Sequence, residues 1–290
     1  MKPLRSMLFV PADNDRKLEK GLTSGADAII LDLEDAVAPS RKKIAREAAA
    51  TYIQTHSSAT TPQLYVRINP LDSGLALLDL ASVLVHGLAG IMLPKTTSAA
   101  DVIRLGYFLD ALEVRAEMTA GHVSVIPVAT ETAPAMLNMG TFAGVIPRLS
   151  GITWGAEDLS AAIGAIANRE ENGQLSPLYE WAGSLCLCAA AAAGVPAIDT
   201  LYANYKDDSG LATSCAQSRR RGFRGRIAIH PAQVHTINKA FTPSQKEREH
   251  AQRIVDAFTA QPDAGTVGID GLMYDIPHLK QARQTLQLAT

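Results

Sequence analysis

The chain has 290 residues, 47% of them apolar and 19% charged, with a formal net charge of -2. That is enough apolar material for a large core, and the near-neutral balance offers no polycation to a nucleic acid. Three cysteines, two of them in the CLC of residues 186–188, fit neither a disulfide framework nor a zinc spacing and suit a reducing cytoplasm.

The opening MKPLRSMLFVPAD carries one apolar run too short for a signal peptide or a membrane span, so neither is expected. Short apolar, partly β-branched runs then alternate with longer helical stretches. SMLFVPA precedes DNDRKLEKGLTSG, DAIILDLED precedes PSRKKIAREAAATYIQ, and QLYVRIN and GIMLPK lead to TSAADVIRLGYFLDALEVRAEM. HVSVIPVATE, SGITWGAED, PAIDTLY and GRIAIHP complete a set of eight, with SPLYEWAGSLCLCAAAAAG ahead of the seventh. Eight strand-helix units with no composition break predict an α/β fold, a (β/α)8 TIM barrel, over residues 1–240.

Within that frame, LCLCAAAAAG reads as a helix packed on the barrel, alanine being the best helix former. QSRRRGFRGR, residues 217–226, reads as a solvated helix end on the face opposite any site. After residue 241, FTPSQKEREHAQRIVDAF predicts an amphipathic helix begun by Thr242 or Ser244, with Ile254, Val255 and Phe258 on its apolar side. GIDGLMYDIPHLKQARQTL predicts a turn and a second helix, making residues 241–290 a C-terminal helical extension.

In such a barrel the chemistry lies where strands end. Those ends carry Asp13, then Asp32, Glu34 and Asp35, then Arg67 and Asn69, then Lys95, Glu131, Glu157 with Asp158, Asp199 and His230. Asp13 and Ser98 read as helix caps, but Arg67, Lys95 and His230 are not preferred caps, so capping does not explain the set. An excess of carboxylates without clustered His or Cys suits a hard cation such as Mg²⁺. A guanidinium and an ammonium in the same ring suit an anionic substrate. No phosphate-loop, dinucleotide-binding, zinc-protease or serine-hydrolase motif is present. The residues alone thus predict a Mg²⁺-dependent enzyme acting on a small carboxylate.

The ordered set RSMLFVPADNDRKLEKGLTSGADAIILDLEDAV, YVRINP, GIMLPK, HVSVIPVATETAPAML, GITWGAEDLSAAIGA, GVPAIDTLYANYKDDSGL, GRIAIHPAQVHTINKAFTPS and DGLMYD resembles the citrate lyase β-subunit-like (CitE-like) CoA-ester lyases of the HpcH/HpaI aldolase superfamily. The resemblance implies Mg²⁺ held by Glu131 and Asp158, with Glu34, Asp35 and Glu157 around them. It implies that Arg67 holds the keto-acid or hydroxy-acid part of the substrate, with Arg5 and Lys95 as further anion-binding candidates. His230 is expected to pack and hydrogen-bond rather than act as a base, and Thr130, beside Glu131, to add a hydroxyl near the metal. The tail is expected to reach a neighbouring subunit of a homo-oligomer, a trimer or hexamer, where Asp270 would act as general acid/base. A plain Asp-Gly turn is the alternative reading of that residue.

The activity so implied is cleavage of a 3-hydroxyacyl-CoA such as malyl-CoA, citramalyl-CoA or citryl-CoA to an acyl-CoA and an α-keto acid, or the reverse condensation. Thioester hydrolysis at the same metal site, a divalent-metal pyruvate aldolase, and a subunit of a larger citrate lyase complex are the rival readings. Neither nucleic acid nor membrane is expected as a partner.

Overall fold

Adjacent residues of the first strand, Ser6–Pro11 (β1), face opposite ways: Met7 points into an interior cluster and Leu8 into the layer beneath the helices. The same alternation runs through Ala28–Asp32 (β2), Gln63–Arg67 (β3), Leu88–Leu93 (β4), Ser124–Pro127 (β5), Ile152–Thr153 (β6), Ala197–Asp199 (β7) and Gly225–Ala228 (β8). In the computed structural model, which describes residues 3–58 and 62–288, these strands form one sheet in the order β5-β4-β3-β2-β1-β8-β7-β6. Every ladder in it is parallel. The two edges meet through parallel bridges Val125↔Leu149 and Val128↔Thr153, with Ala129 N–H donating to Thr153 O at 2.9 Å. The result is the expected (β/α)8 barrel, closed at β5–β6 by isolated bridges because β6 pairs over only two residues.

Met7, Ala28, Ile30, Tyr65, Met92, Ile126, Val128, Ile198 and Ile227 fill the barrel. Tyr65 can lie across it because β4 has glycine opposite: a Cβ at Gly90 would sit 2.4 Å from Tyr65 Cε1. Outward residues such as Val10, Ile29, Leu64, Val66 and Ile91 pack against the surrounding helices. These are Asp15–Leu22 (α1), Lys42–His56 (α2), Ala76–Val83 (α3), Ala99–Arg115 (α4), Ala133–Asn138 (α5), Glu157–Ile163 (α6), Pro177–Ala193 (α7), Asp208–Arg221 (α8) and Val234–Phe241 (α9). Side-chain caps start several of them, including Asn14, Ser98 and Asp207. Asp13, expected as a cap, instead accepts from Arg41 Nε at 2.5 Å, and its neighbour Asn14 takes the capping role.

The tail contains Gln245–Ala260 (α10), begun by a Ser244/Glu247 capping box, and Ile276–Gln287 (α11). Between them the structure adds an antiparallel hairpin, Thr266–Ile269 (β9) with Leu272–Asp275 (β10), where the sequence suggested only a turn. Asp270 and Gly271 both have positive φ, 52° and 78°, as the tight turn of a twisted hairpin requires. Ile254, Phe258, Val267 and Leu279 form the tail's own small core. Among the described residues no helix is long and apolar enough to cross a membrane.

The run at 217–226 departs from its expected solvated character. Arg219 and Arg221 pair with Glu247 and Glu180 at the surface. Arg226 is 4% exposed and bonds Asp199 at 2.6 Å, because it is a strand residue that β8 turns into the layer beneath α8, where it also meets Ser214.

Candidate active site

The carboxyl ends of β2 to β6 bring Glu34, Arg67, Lys95, Glu131 and Asp158 to one rim, as a parallel barrel must. Arg67, the last residue of β3, lies over the Phe9 ring at 4.5 Å. Its Nε and Nη2 donate to the two oxygens of buried Asp32 at 2.8 and 2.6 Å, a bidentate pair that fixes the guanidinium plane. Its Nη1 stands 2.8 Å from Glu34 Oε2. Burial opposes the charge on Arg67, but Asp32 and Glu34 hold its pKa above the ordinary value. A guanidinium has five N–H donors, so this arrangement leaves hydrogens on Nη1 and Nη2 for a ligand.

Lys95 follows β4 with a left-handed backbone, φ +50°. Its N–H donates to Glu131 Oε2 at 2.6 Å, and its ammonium contacts Glu34, with Asp35 at 3.2 Å and Asp158 at 3.4 Å. Burial disfavours that ammonium, yet Glu34, Asp158 and Asp35 keep it strongly protonated.

Glu131, beyond the end of β5, is 4% exposed. Burial, with Asp158 and Glu34 adding repulsion, pushes its carboxyl up to about 8. Burial likewise raises Glu34. Glu131 lies against Gly155, where a Cβ would come 3.0 Å from Glu131 Cγ and 3.2 Å from Oε1. Asp158, in the first turn of α6, lines the same hollow as Glu131, Arg67 and Thr153. Glu157 also lines this hollow and accepts from Asn168 Nδ2 at 3.0 Å.

Among the described residues, the five carboxylates Asp32, Glu34, Asp35, Glu131 and Asp158 meet only the two cations Arg67 and Lys95. The balance is negative, and Glu131 is the group most disfavoured as an anion. That is the setting a divalent cation would relieve. Among the described residues no group of three or more His, Cys, Asp or Glu is arranged around a metal position. Two carboxylates with room for water match Mg²⁺, which commonly takes one or two protein carboxylates. Glu131 and Asp158 therefore fit the ion in donor chemistry.

Two candidates from the sequence lie elsewhere in this chain. Arg5 precedes β1 at the other end of the barrel, bound to Asp27 at 2.7 Å and to Thr242 at 2.9 Å. Asp270 sits on the hairpin turn, 70% exposed at its side chain and paired with Arg253 at 2.8 Å. Thr130, expected to offer a hydroxyl near the metal, accepts from Gly155 N–H at 3.2 Å and ties down the loop after β6. His230 caps the short 3-10 helix Pro231–Gln233 and stacks on Tyr205 at 4.7 Å. Sequence reasoning missed a second cleft, which shares Phe9, Arg67 and Leu201 with the lining of the hollow. Its walls are largely apolar, from β1 and the end of β8, with Lys17 and Lys20 of α1 at its edge. The i, i+3 spacing of those lysines was the available signal.

Residues 5–231 match the family described as HpcH/HpaI aldolase/citrate lyase. The chain belongs to that family. A citrate lyase subunit beta of Haemophilus influenzae is 35% identical over 291 residues, covering 100% of this chain and 98% of its own. A (3S)-malyl-CoA thioesterase of Cereibacter sphaeroides is also 35% identical, covering 99% of this chain and 95% of its own. The CitE protein of Mycobacterium tuberculosis, solved with magnesium, acetoacetate and coenzyme A, is 30% identical with a TM-score of 0.76, covering 99% and 98% of the two chains. This HpcH/HpaI-type chain thus has full-length relatives that include both lyase and thioesterase names.

Proposed function

We propose that the chain is a Mg²⁺-dependent carbon-carbon lyase for a 3-hydroxyacyl-CoA of the malyl-, citramalyl- or citryl-CoA type. One observation carries the reading: Glu131, Asp158 and Arg67 line a hollow that adjoins an apolar cleft edged by Lys17 and Lys20. Glu131 and Asp158 would hold the ion. When bound, Mg²⁺ supplies a Lewis acid for the substrate's oxygens. The two spare N–H groups of Arg67 would fix the carboxylate and offset charge at the reacting oxygen. The apolar cleft suits the arm of a CoA ester, and its lysines suit the phosphates, in keeping with the coenzyme A bound by the Mycobacterium tuberculosis relative.

In the cleavage direction the hydroxyl gives up its proton to solvent and becomes the carbonyl of an α-keto acid. The C–C bond breaks, and its electron pair passes into the enolate of the acyl-CoA. Asp270 from a neighbouring copy in a homo-oligomer would protonate that carbon; the tail would then form a unit that serves the next subunit's barrel. In reverse, Asp270 removes the α-proton and the reaction is a condensation. Thioester hydrolysis is a second reading, favoured by the thioesterase relative. Following α-keto acid and free CoA separately in one reaction tests both: keto acid without free CoA supports the lyase, and free CoA alone supports hydrolysis.

A further inference from the structure

Two buried threonines, Thr153 and Thr200, line the hollow beside its apolar side chains. Thr153, the second residue of β6, is 2% exposed and lines the hollow with Glu131, Asp158 and Arg67. Ile152 packs outward into the layer beneath the helices, so the pleat turns Thr153 inward. There it joins Met92, Val128 and Ile227, which belong to the barrel interior and line the same hollow. Its carbonyl is satisfied by Ala129 N–H at 2.9 Å. Its hydroxyl has no hydrogen-bond partner among the described residues. Thr130 differs, since its hydroxyl is engaged with the backbone of Gly155.

A buried hydroxyl without a partner is costly and uncommon, and valine would fill the same volume among these neighbours without that cost. The position is also placed to matter. It lines the same hollow as Arg67 and the Glu131 and Asp158 carboxylates.

We propose that the Thr153 hydroxyl is a specificity contact: it hydrogen-bonds an oxygen on the substituent of the α-keto acid, so that oxygen-bearing substituents are preferred over alkyl ones. The proposal rests on the keto-acid reading of the site. A hydroxyl substituent would accept from or donate to Thr153, and a carboxylate substituent would accept from it. A site built to hydrogen-bond its ligand rejects the analogue lacking that group far better than an apolar pocket rejects an extra methylene.

The test is isothermal titration of four keto acids into protein held in saturating Mg²⁺. Hydroxypyruvate and 2-oxobutyrate differ by a hydroxyl against a methyl at equal size. Oxaloacetate and pyruvate differ by a carboxylate against hydrogen. The wild type is expected to favour at least one oxygen-bearing acid over its partner by about 10-fold or more, and Thr153→Val to cut that ratio by about 10- to 100-fold. Thr153→Ser, which keeps the hydroxyl, should retain most of the preference and guards against a folding artefact in the valine variant. Which pair responds tells a neutral from a charged substituent. Affinity ratios unchanged by Thr153→Val, or no preference in the wild type, overturn the proposal while leaving the keto-acid site standing. Failure of the wild type to bind any of the four overturns both.

Discussion

Lys95 donates its backbone N–H to Glu131 Oε2 at 2.6 Å while its own φ stands at +50°. A left-handed non-glycine residue is uncommon and strained, and here the conformation serves two contacts at once. The N–H meets one carboxylate, and the ammonium turns back to Glu34, Asp35 and Asp158. Lys95→Gly keeps the N–H and suits the positive φ but removes the ammonium. The expected result is a less stable metal-free protein whose melting temperature rises more with Mg²⁺ than the wild type's, measured by scanning calorimetry. An unchanged Mg²⁺ response would show that ammonium and metal do not offset the same carboxylates.

Gly155 allows Glu131 its position, since an added Cβ would come 3.0 Å from Glu131 Cγ. Gly155→Ala should therefore displace the carboxylate with little effect on the fold. Changes beside metal ligands typically lower affinity about 10- to 100-fold, and a loss in that range is expected from Mg²⁺ titration. Wild-type affinity in this variant would mean that Glu131 is not a ligand.

Asp270 is exposed and lies apart from the hollow of its own chain. If it serves a neighbour's site, an Arg67→Lys protein and an Asp270→Asn protein, each poorly active, should regain activity when co-assembled, because some mixed sites hold both native residues. Arg67→Lys alone loses the bidentate grip on Asp32 and should lower kcat/KM by about 100- to 1,000-fold. Absence of recovery in verified mixed oligomers would place the acid elsewhere.

A buried pair far from the site sets an acid limit. Burial opposes ionisation of Glu113, but Arg148 and the N–H groups of Val123 and Gly121, at 2.7 and 2.8 Å, hold its carboxyl below the usual range. A depressed carboxyl pKa adds stability above the unfolded value, about 4.3, and loses it as pH falls through the folded value. Glu113→Gln should cost roughly 3–5 kcal/mol at pH 7 and flatten the dependence below about pH 4. Urea unfolding at pH 7 and at pH 3.5 reads both, and parallel wild-type and variant profiles would contradict the assignment.

The barrel was legible because buried parallel strands are short apolar runs, and residues just past them share one face whatever the helices do. That rule gathers Glu34, Arg67, Lys95, Glu131 and Asp158 without knowledge of any contact. It was silent where chain position and spatial position part. Arg5 immediately precedes a strand that ends at the site, yet it belongs to the opposite end. Arg226 sits in a run of arginines that reads as solvated, but strand parity buries it against Asp199. The β9–β10 hairpin hid in a run whose inward positions are few, and Thr153 became conspicuous only once its hydroxyl was found unpaired.

The most direct measurement mixes the protein and Mg²⁺ with malyl-, citramalyl- and citryl-CoA, following α-keto acid and free CoA separately, with Glu131→Ala alongside. Keto acid in the absence of free CoA is expected from at least one ester, abolished in the variant. Free CoA without keto acid, or keto acid undiminished in Glu131→Ala, would contradict this expectation.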